Sequence, residues 1–329
     1  MDGQEDEFKK EFKYYKSNKP PPSLDNVINI LNENNLNDGI FPISCSLAED
    51  ERTECLGLIP VHQWEIYVLK SNPGLIYIKN PFTSIGQRFW IRKCLEDYTR
   101  KPNRTNIDHE MEIVDWWQEC YRNQECDVNL QNKMRWTTLG YHHNWDTKLY
   151  SEDKKTVFPA ELSELCDIVS RTLGHRSFSP QAAILNFYHW DSTLSAHTDH
   201  SELNLEAPLF SFSFGQSAIF LIGGREKCVK PTAVMLHSGD VLVMTEQARI
   251  CYHAVPKILP APYAPWSHDH TKNIAKRCSF KYITNIEHLQ NYINKNSDNS
   301  SWNNFNSYIS KSRININVRQ VLKDDQSSL

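Results

Sequence analysis

From residue 180 to 255 the apolar positions fall in short runs rather than at helical spacing. "AAILNFYHW", "LFSFSFG", "SAIFLIGG", "TAVMLH", "DVLVMT" and "RICYHAV" are rich in β-branched and aromatic residues. Gly215, Gly223-Gly224 and Ser238-Gly239 separate several of them, as turns require. Runs of this kind about a dozen residues apart predict a sandwich or barrel, jelly rolls included. A last run, "RININVRQVL" at 313–322, alternates polar and apolar positions and predicts a final half-buried strand. Toward the N-terminus the period changes. Phe8, Phe12 and Tyr15 recur at helical spacing until Pro20-Pro21-Pro22, predicting a short amphipathic helix docked on the body. Residues 23–60 hold Asn-rich and acidic stretches with few periodic apolar positions and read as loop-like or partly disordered. "WEIYVLKSNPGLIYIKNPF" reads as strand around a Pro-Gly turn, and helices are predicted at 84–100, 108–124, 160–174 and near 286–296.

Charge narrows the choice of partners. With 36 Lys and Arg against 40 Asp and Glu, the net charge is −4, so bulk charge does not attract nucleic acid. Such a partner would need a local basic patch. Arg92, Lys93, Arg100, Lys101 and Arg104 form the candidate, although helix C-termini favour cations anyway. Nine cysteines without a CxxC pair point to neither a disulfide framework nor a zinc ribbon, and suit a reducing compartment. No apolar run of about 18 residues is present, so no membrane span is expected. The acidic first residues, which lack Arg, fit neither a secretory signal nor a typical mitochondrial presequence.

The densest chemistry lies in "ILNFYHWDSTLSAHTDHSEL", residues 184–203. A His-x-Asp pair on or just past a strand puts both side chains on one face. There an imidazole and a carboxylate can share a metal, and a second imidazole completes a facial triad with positions left open, as an Fe(II) oxygenase requires. His197 and Asp199 form such a pair, and His253 is the candidate third ligand. With 13 His in the chain, about one His-x-Asp pair is expected by chance, so the pair alone decides little. Arg313 and Arg319 add weight. They lie an even number of positions apart on the last strand, on one face, with Asn315 between them. Two inward guanidinium groups need an anionic partner. Six strand residues span about 20 Å, so two Arg heads leaning together could bracket a five-carbon dicarboxylate.

Together, His197-x-Asp199, His253 and Arg313-xxxxx-Arg319 resemble the signature of AlkB-type Fe(II)/2-oxoglutarate dioxygenases. "NFY" at 186–188, "SFSFGQSAIFLIGG" and "HSGDVLVM" are similar to that family's barrel strands, most closely in its first animal branch. The resemblance covers most of the chain after about residue 60, plus the first helix. It implies an α+β fold: a double-stranded β-helix (jelly-roll) core flanked by helices, with an N-terminal helical extension. The expected division is 1–60 as that extension, 61–125 as strand and helices packing on the core, and 126–325 as the dioxygenase core. It implies Fe(II) held by His197, Asp199 and His253. It also implies 2-oxoglutarate held by Arg313 and Tyr188 at its distal carboxylate and by Arg319, Asn186 and Asn315 at the chelating end.

The resemblance further implies a lid over the pocket in "RWTTLGYHHNWD", with Trp136, Tyr141, His142 and His143 matching positions that stack on a modified base. Stacking on an unpaired base is worth about 1–3 kcal/mol. The implied activity is O2-dependent oxidative demethylation of a nucleobase, the N-methyl carbon leaving as formaldehyde while 2-oxoglutarate becomes succinate and CO2. The implied substrates are 1-methyladenine in tRNA, then 5-methylcytosine in tRNA or N6-methyladenine in DNA. The implied compartment is the nucleus or cytoplasm, with the mitochondrion a further option, and a monomer is compatible with all of this. One departure matters. Some bacterial AlkB proteins carry a carboxylate four positions after the first iron-binding His; here Ser201 stands there, with Glu202 beside it, so bacterial substrate preference is not carried over. Two rivals remain at this point: a protein or small-molecule hydroxylase with the same iron site, and a non-catalytic nucleic-acid-binding jelly roll. His189, His200, His237, His268 and His270 are set aside as ligands.

Overall fold

Alternation along the chain becomes two antiparallel sheets. The computed structural model describes residues 5–32, 39–43, 49–123, 125–175, 177–267 and 278–329. The strands are β1 (Ile40–Pro42), β2 (Glu65–Leu69), β3 (Leu75–Lys79), β4 (Arg104–Thr105) and β5 (Trp136–Gly140). Then come β6 (Ala182–Tyr188), β7 (Leu194–His197), β8 (Leu209–Gly215) and β9 (Ser217–Ile222). The last are β10 (Thr232–Leu236), β11 (Val241–Met244), β12 (His253–Leu259) and β13 (Arg313–Arg319). The larger sheet runs β1-β2-β3-β11-β8-β13-β6-β5-β4, and the smaller runs β10-β9-β12-β7.

The larger sheet is covered on one face by helices. The α-helices in chain order are α1 (Glu7–Lys16), α2 (Arg52–Cys55), α3 (Ser84–Arg92), α4 (Trp116–Glu119), α5 (Val128–Lys133), α6 (Ala160–Thr172), α7 (Ile286–Asn294) and α8 (Asn299–Ile309), and all but α1 lie outside the smaller sheet's outer face. Phe89 and Trp90 of α3, Leu165 and Val169 of α6, and Trp302 and Phe305 of α8 share one apolar core with the sheet. A second core lies between the sheets, with Tyr77, Leu209 and Leu242 facing Phe220, Ile222 and Val255. α1 serves neither. Its Phe8 and Tyr15 cover the outer face of the smaller sheet, against Ile219, Leu221 and Ala254.

The last strand is more deeply placed than its alternation suggests. β13 is central, paired with β8 on one side and β6 on the other. Ile314, Ile316 and Val318 enter the helix-side core. By the two-residue period, Arg313, Asn315, Asn317 and Arg319 therefore face the space between the sheets. The polar face of "RININVR" meets an internal cavity rather than solvent. β8 follows the same rule, sending Phe210, Phe212 and Phe214 to the helices and Ser211 and Ser213 inward.

Several expectations are corrected here. The segment at 65–79 is a hairpin of two strands, β2 and β3. The 84–100 helix is α3 continued by a π-helical turn at Lys93–Asp97, and only four residues of 108–124 become α4. α8 was not predicted, because its Asn- and Ser-rich sequence has low helix propensity and is held by packing of Trp302, Phe305, Tyr308 and Ile309. Residues 23–60 are not simply loop: Val27 and Ile30 are buried, and Arg52 bridges Asp50, Glu164 and Asp167. Cys55 and Cys278 are paired as a disulfide, which the spacing of the cysteines gave no reason to expect.

The basic patch largely dissolves. Arg92 is buried and donates to Ser301, Lys93 pairs with Asp97 and Glu161, Arg100 with Asp115 and Lys101 with Asp108. Among these cations Arg92 and Arg104 have no carboxylate in contact among the described residues. His268 and His270 lie outside the described residues.

Candidate active site

The site forms where two strands of the smaller sheet run side by side. β7 and β12 pair antiparallel with His197 opposite His253, and Asp199 follows two positions beyond β7. His253 opens β12, so the strand expected over "RICYHAV" begins only at its fifth residue, with Ala248–Ile250 forming a 3-10 turn before it. Nε2 of His253 is 3.7 Å from one Asp199 carboxylate oxygen, and Nε2 of His197 is 4.0 Å from the other. One donor atom from each of the three residues lies within 4.8 Å of the others.

Local hydrogen bonds fix the tautomers. Nδ1 of His197 is 2.9 Å from the Ser195 carbonyl, and Nδ1 of His253 is 3.1 Å from the Cys251 carbonyl. A carbonyl only accepts, so each Nδ1 carries the proton and each Nε2 presents a lone pair toward Asp199. Burial, then the neighbouring His197, pushes the His253 imidazole down to about 4. Burial alone would raise the Asp199 carboxyl, but the Arg319 guanidinium, His253 and His197 outweigh it and hold it well below the usual carboxylate range. Two imidazoles with their Nε2 atoms turned toward one carboxylate result, a donor set suited to a divalent iron with open positions.

The inner cavity continues from His253 toward the far end of β13, lined by Tyr188, Phe220, Val255, Arg313 and Asn315. Arg313 lies across from Tyr188 and is 1 % exposed. Its Nη2 donates to Ser213 Oγ at 2.7 Å and its Nη1 to the Gln216 carbonyl at 3.3 Å, while Nε has no partner. Burial lowers this guanidinium to about 10, which leaves it charged at neutral pH. No carboxylate among the described residues touches it. A buried cation so placed calls for an anion from outside the chain.

Arg319 marks the other end. Nη2 is 2.9 Å from Asp199, Nε is 3.2 Å from Glu202, and Nη1 is buried without a partner. Between the two arginines, Asn315 lies across from Asn186 and donates to Ser211 Oγ and the Phe212 carbonyl. The backbone beside Arg313 leaves little slack. Gly215 has φ +87°, and a Cβ there would lie 2.4 Å from the Ser312 carbonyl.

An outer cleft of about 650 Å³ opens over the triad, walled by His143, Trp145, Tyr150, Asn186, Tyr252 and Arg319. The four aromatic and imidazole positions expected there separate. His143 lines this cleft, with Nε2 3.0 Å from Ser201 Oγ. Trp136 and His142 line an adjoining groove instead. Tyr141 reaches neither: it is 1 % exposed, packed with Tyr150, Val321 and Leu322, and its hydroxyl contacts Glu152 and Lys155. His189 faces Tyr308 and Ser312 away from the triad, whereas His200 lines the cleft rim but bonds locally to Thr198.

Sequence reasoning missed four contributors. Trp145 walls the cleft and meets His143 edge-on at 4.7 Å, and its place in "GYHHNWD" could have flagged it. Asn317 follows the same period as Asn315 and lines both cavities. Glu202 and Arg249 carry no such signal. Arg249 donates to the Asp199 carbonyl at 2.7 Å and to Glu202 at 3.0 Å, so the metal-facing loop is held from behind.

Residues 74–319 match the model of the 2OG-Fe(II) oxygenase superfamily. This chain belongs to that superfamily. It is 37 % identical over 341 residues to mouse "Nucleic acid dioxygenase ALKBH1", covering 98 % of this chain and 85 % of that protein. It is 31 % identical to "tRNA demethylase abh1" of Schizosaccharomyces pombe, covering 78 % of this chain and 82 % of the relative. It is 26 % identical to Arabidopsis thaliana "DNA N(6)-methyladenine demethylase ALKBH1A", covering 95 % and 92 %. The protein is therefore an AlkB-type oxygenase whose cofactors are Fe(II) and 2-oxoglutarate. The residues present fit both: a three-donor face for iron, and two buried guanidinium groups with unpartnered N–H groups for a dicarboxylate. Among the described residues no helix is long and apolar enough to cross a membrane.

The buried histidines predict a pH dependence of stability. Burial, the largest cause in each case, lowers His142, His143 and His237 to about 4 from 6.5. Between about pH 4 and 6.5 the unfolded chain then binds more protons than the folded one, so stability falls as pH falls through that window. Asp240, raised to about 6 by burial, acts oppositely between 3.8 and 6 but is outnumbered. The unfolding midpoint in urea should therefore drop steadily from pH 6.5 to 4.5. A flat profile would contradict this burial of neutral imidazoles.

Proposed function

We propose that this protein is an Fe(II)/2-oxoglutarate-dependent nucleic acid dioxygenase that oxidatively demethylates methylated nucleobases, 1-methyladenine in tRNA foremost, on a double-stranded β-helix core. The observation that carries the reading is the outer cleft. An aromatic and imidazole wall, Trp145 and His143, stands over a partly buried His-Asp-His triad whose buried His253 also borders an arginine-anchored inner cavity. An unpaired base fits such a wall, because ring faces stack on any base. The names of the relatives support nucleic acid as substrate, one of them naming tRNA and another DNA N6-methyladenine.

In this reading His197, Asp199 and His253 hold iron, and Arg313 with Tyr188 binds the distal carboxylate of 2-oxoglutarate. Arg319, Asn186 and Asn315 steady its chelating end. Bound iron, with 2-oxoglutarate and O2, supplies the oxidant that converts an N-methyl to an N-hydroxymethyl group, which then loses formaldehyde. The chain's own part is placement and shielding. Asp199 stays ionised beside Arg319, and the two imidazoles are oriented by their Nδ1 contacts to backbone carbonyls. Phe220, Val255 and Leu194 keep the inner cavity apolar around the cosubstrate. The target base must leave its helix or loop to enter the cleft.

The test is mass spectrometry of nucleosides from tRNA treated with protein, Fe(II), 2-oxoglutarate and air. Loss of 1-methyladenosine with matching succinate is expected. Succinate release unaffected by nucleic acid, with every methylated nucleoside unchanged, would favour a protein or small-molecule hydroxylase instead. Run in parallel on DNA, the same assay ranks N6-methyladenine against tRNA, and hydroxymethyl or formyl products would reveal oxidation of 5-methylcytosine.

A further inference from the structure

Next to the iron cleft lies a larger hollow, a groove of about 1170 Å³. The two share a wall made of His143 and Trp145. On the far side of that wall the groove carries features that the chemistry at iron does not use. Trp136 lies at 5.3 Å from Trp145, ring centre to ring centre and tilted by 54°, so indole surface faces the groove. Trp145 is 40 % exposed. At the floor, His142 is 94 % buried by its 6 % exposure, and its Nδ1 is engaged with Thr138 Oγ1 at 2.7 Å. Its Nε2 is buried without a partner. A buried imidazole nitrogen without a partner, on a residue that lines the groove, is costly unless something hydrogen-bonds to it.

We propose that this groove binds a second, unmodified nucleobase, the neighbour of the target on the same strand, stacked on Trp136 and read at one edge by His142. The proposal rests on the nucleic-acid reading of the iron cleft and deepens it. A strand that places its methylated base between His143 and the triad must carry the adjoining nucleotide past Trp145, and the shared wall makes the groove the next hollow it meets. The groove's charges argue for the base rather than the phosphate as the recognised part. Lys101, Arg104 and Lys154 line it, but so do Asp108, Asp146 and Asp153, and Lys101 is already tied to Asp108. Cations and carboxylates balance, so attraction comes from ring faces and one hydrogen bond. His142 stays neutral at physiological pH, lowered to about 4 by burial and then by Arg104, and so offers one donor or one acceptor rather than a charge.

The experiment compares two RNA dinucleotides carrying 1-methyladenosine, one with an ordinary neighbouring base and one with an abasic neighbour that keeps the sugar and phosphate. Each is made in both polarities, and affinity is measured by calorimetry on the Fe(II)- and 2-oxoglutarate-loaded protein without O2. In one polarity the neighbouring base should tighten binding about tenfold over its abasic partner, the range expected for one stacked base. Trp136→Ala should shrink that gap below about twofold and Trp136→Phe should keep most of it, since phenyl still offers a stacking face. His142→Phe should shrink it in part. Between about 50 and 200 mM salt the gap should stay constant, unlike a phosphate contact. Equal affinity of the base-bearing and abasic dinucleotides, in a protein that does demethylate tRNA, would overturn this inference alone. A gap that survives in Trp136→Ala would overturn it too. A protein inactive on every methylated nucleic acid would remove the reading beneath it.

Discussion

Asp199→Ala will abolish 2-oxoglutarate turnover, with a loss well beyond the about 10–100-fold that removing an outer partner of a metal ligand costs. Asp199 does three things at once. It supplies the anionic donor between two imidazoles, it sits 2.9 Å from Arg319, and its carbonyl accepts from Arg249. Only the first two depend on the side chain. Removing it leaves Arg319 facing Glu202 alone, so stability should fall, by less than the about 3–5 kcal/mol of a fully orphaned buried charge. Asp199→Asn keeps the volume and should be as inactive but less destabilised. Nucleic-acid affinity should survive in both, because the aromatic part of the cleft wall, His143, Trp145 and Tyr150, is untouched. Succinate assays, urea unfolding and RNA binding separate these effects. Wild-type turnover by Asp199→Ala would remove the triad from the mechanism.

Much of this was legible in the chain because period and chemistry coincide. In "RININVR" the two-residue period sorts Ile314, Ile316 and Val318 from Arg313, Asn315 and Arg319, and that sorting survives folding. His197-x-Asp199 follows the same rule, continued just past the strand end. What period cannot say is which side of a strand is solvent. The polar face of β13 looked half-exposed, yet it lines the interior, because a second sheet stands opposite. The basic run at 92–104 failed for a related reason. Sequence counts its cations but not their partners, and Asp115, Asp108, Glu161 and Ser301 are brought to it only by tertiary packing. In "RWTTLGYHHNWD" the aromatic richness was visible. Which ring faces which hollow was not, since Gly140 at φ +68° turns the chain and sends Tyr141 inward while His142 and His143 diverge.

Glu202→Ala should be the most destabilising single change near the site. The Glu202 side chain is 1 % exposed, and its two oxygens accept from Arg249 at 3.0 Å and from Tyr150 at 2.8 Å, with Arg319 Nε 3.2 Å away. Truncation leaves Arg249, itself 1 % exposed, without its carboxylate and Tyr150 without its acceptor. A loss of about 3–5 kcal/mol is expected, because one partner of a buried charge pair disappears while the other stays. Removing Arg249 as well should cost much less than the sum of the single losses, since neither charge is then stranded. The network also ties Arg319, the arginine proposed to hold the cosubstrate, to the cleft wall, as Tyr150 contacts His143 edge-on at 5.4 Å. Glu202→Gln keeps the shape but turns an N–H group toward one of its donors. It should therefore raise the KM for 2-oxoglutarate, through a loosened Arg319, more than it lowers stability. Denaturant unfolding of the two single variants and the double variant, with 2-oxoglutarate titrations of Glu202→Gln, measures both effects. Additive losses in the double variant would show that Glu202 and Arg249 do not act as a pair.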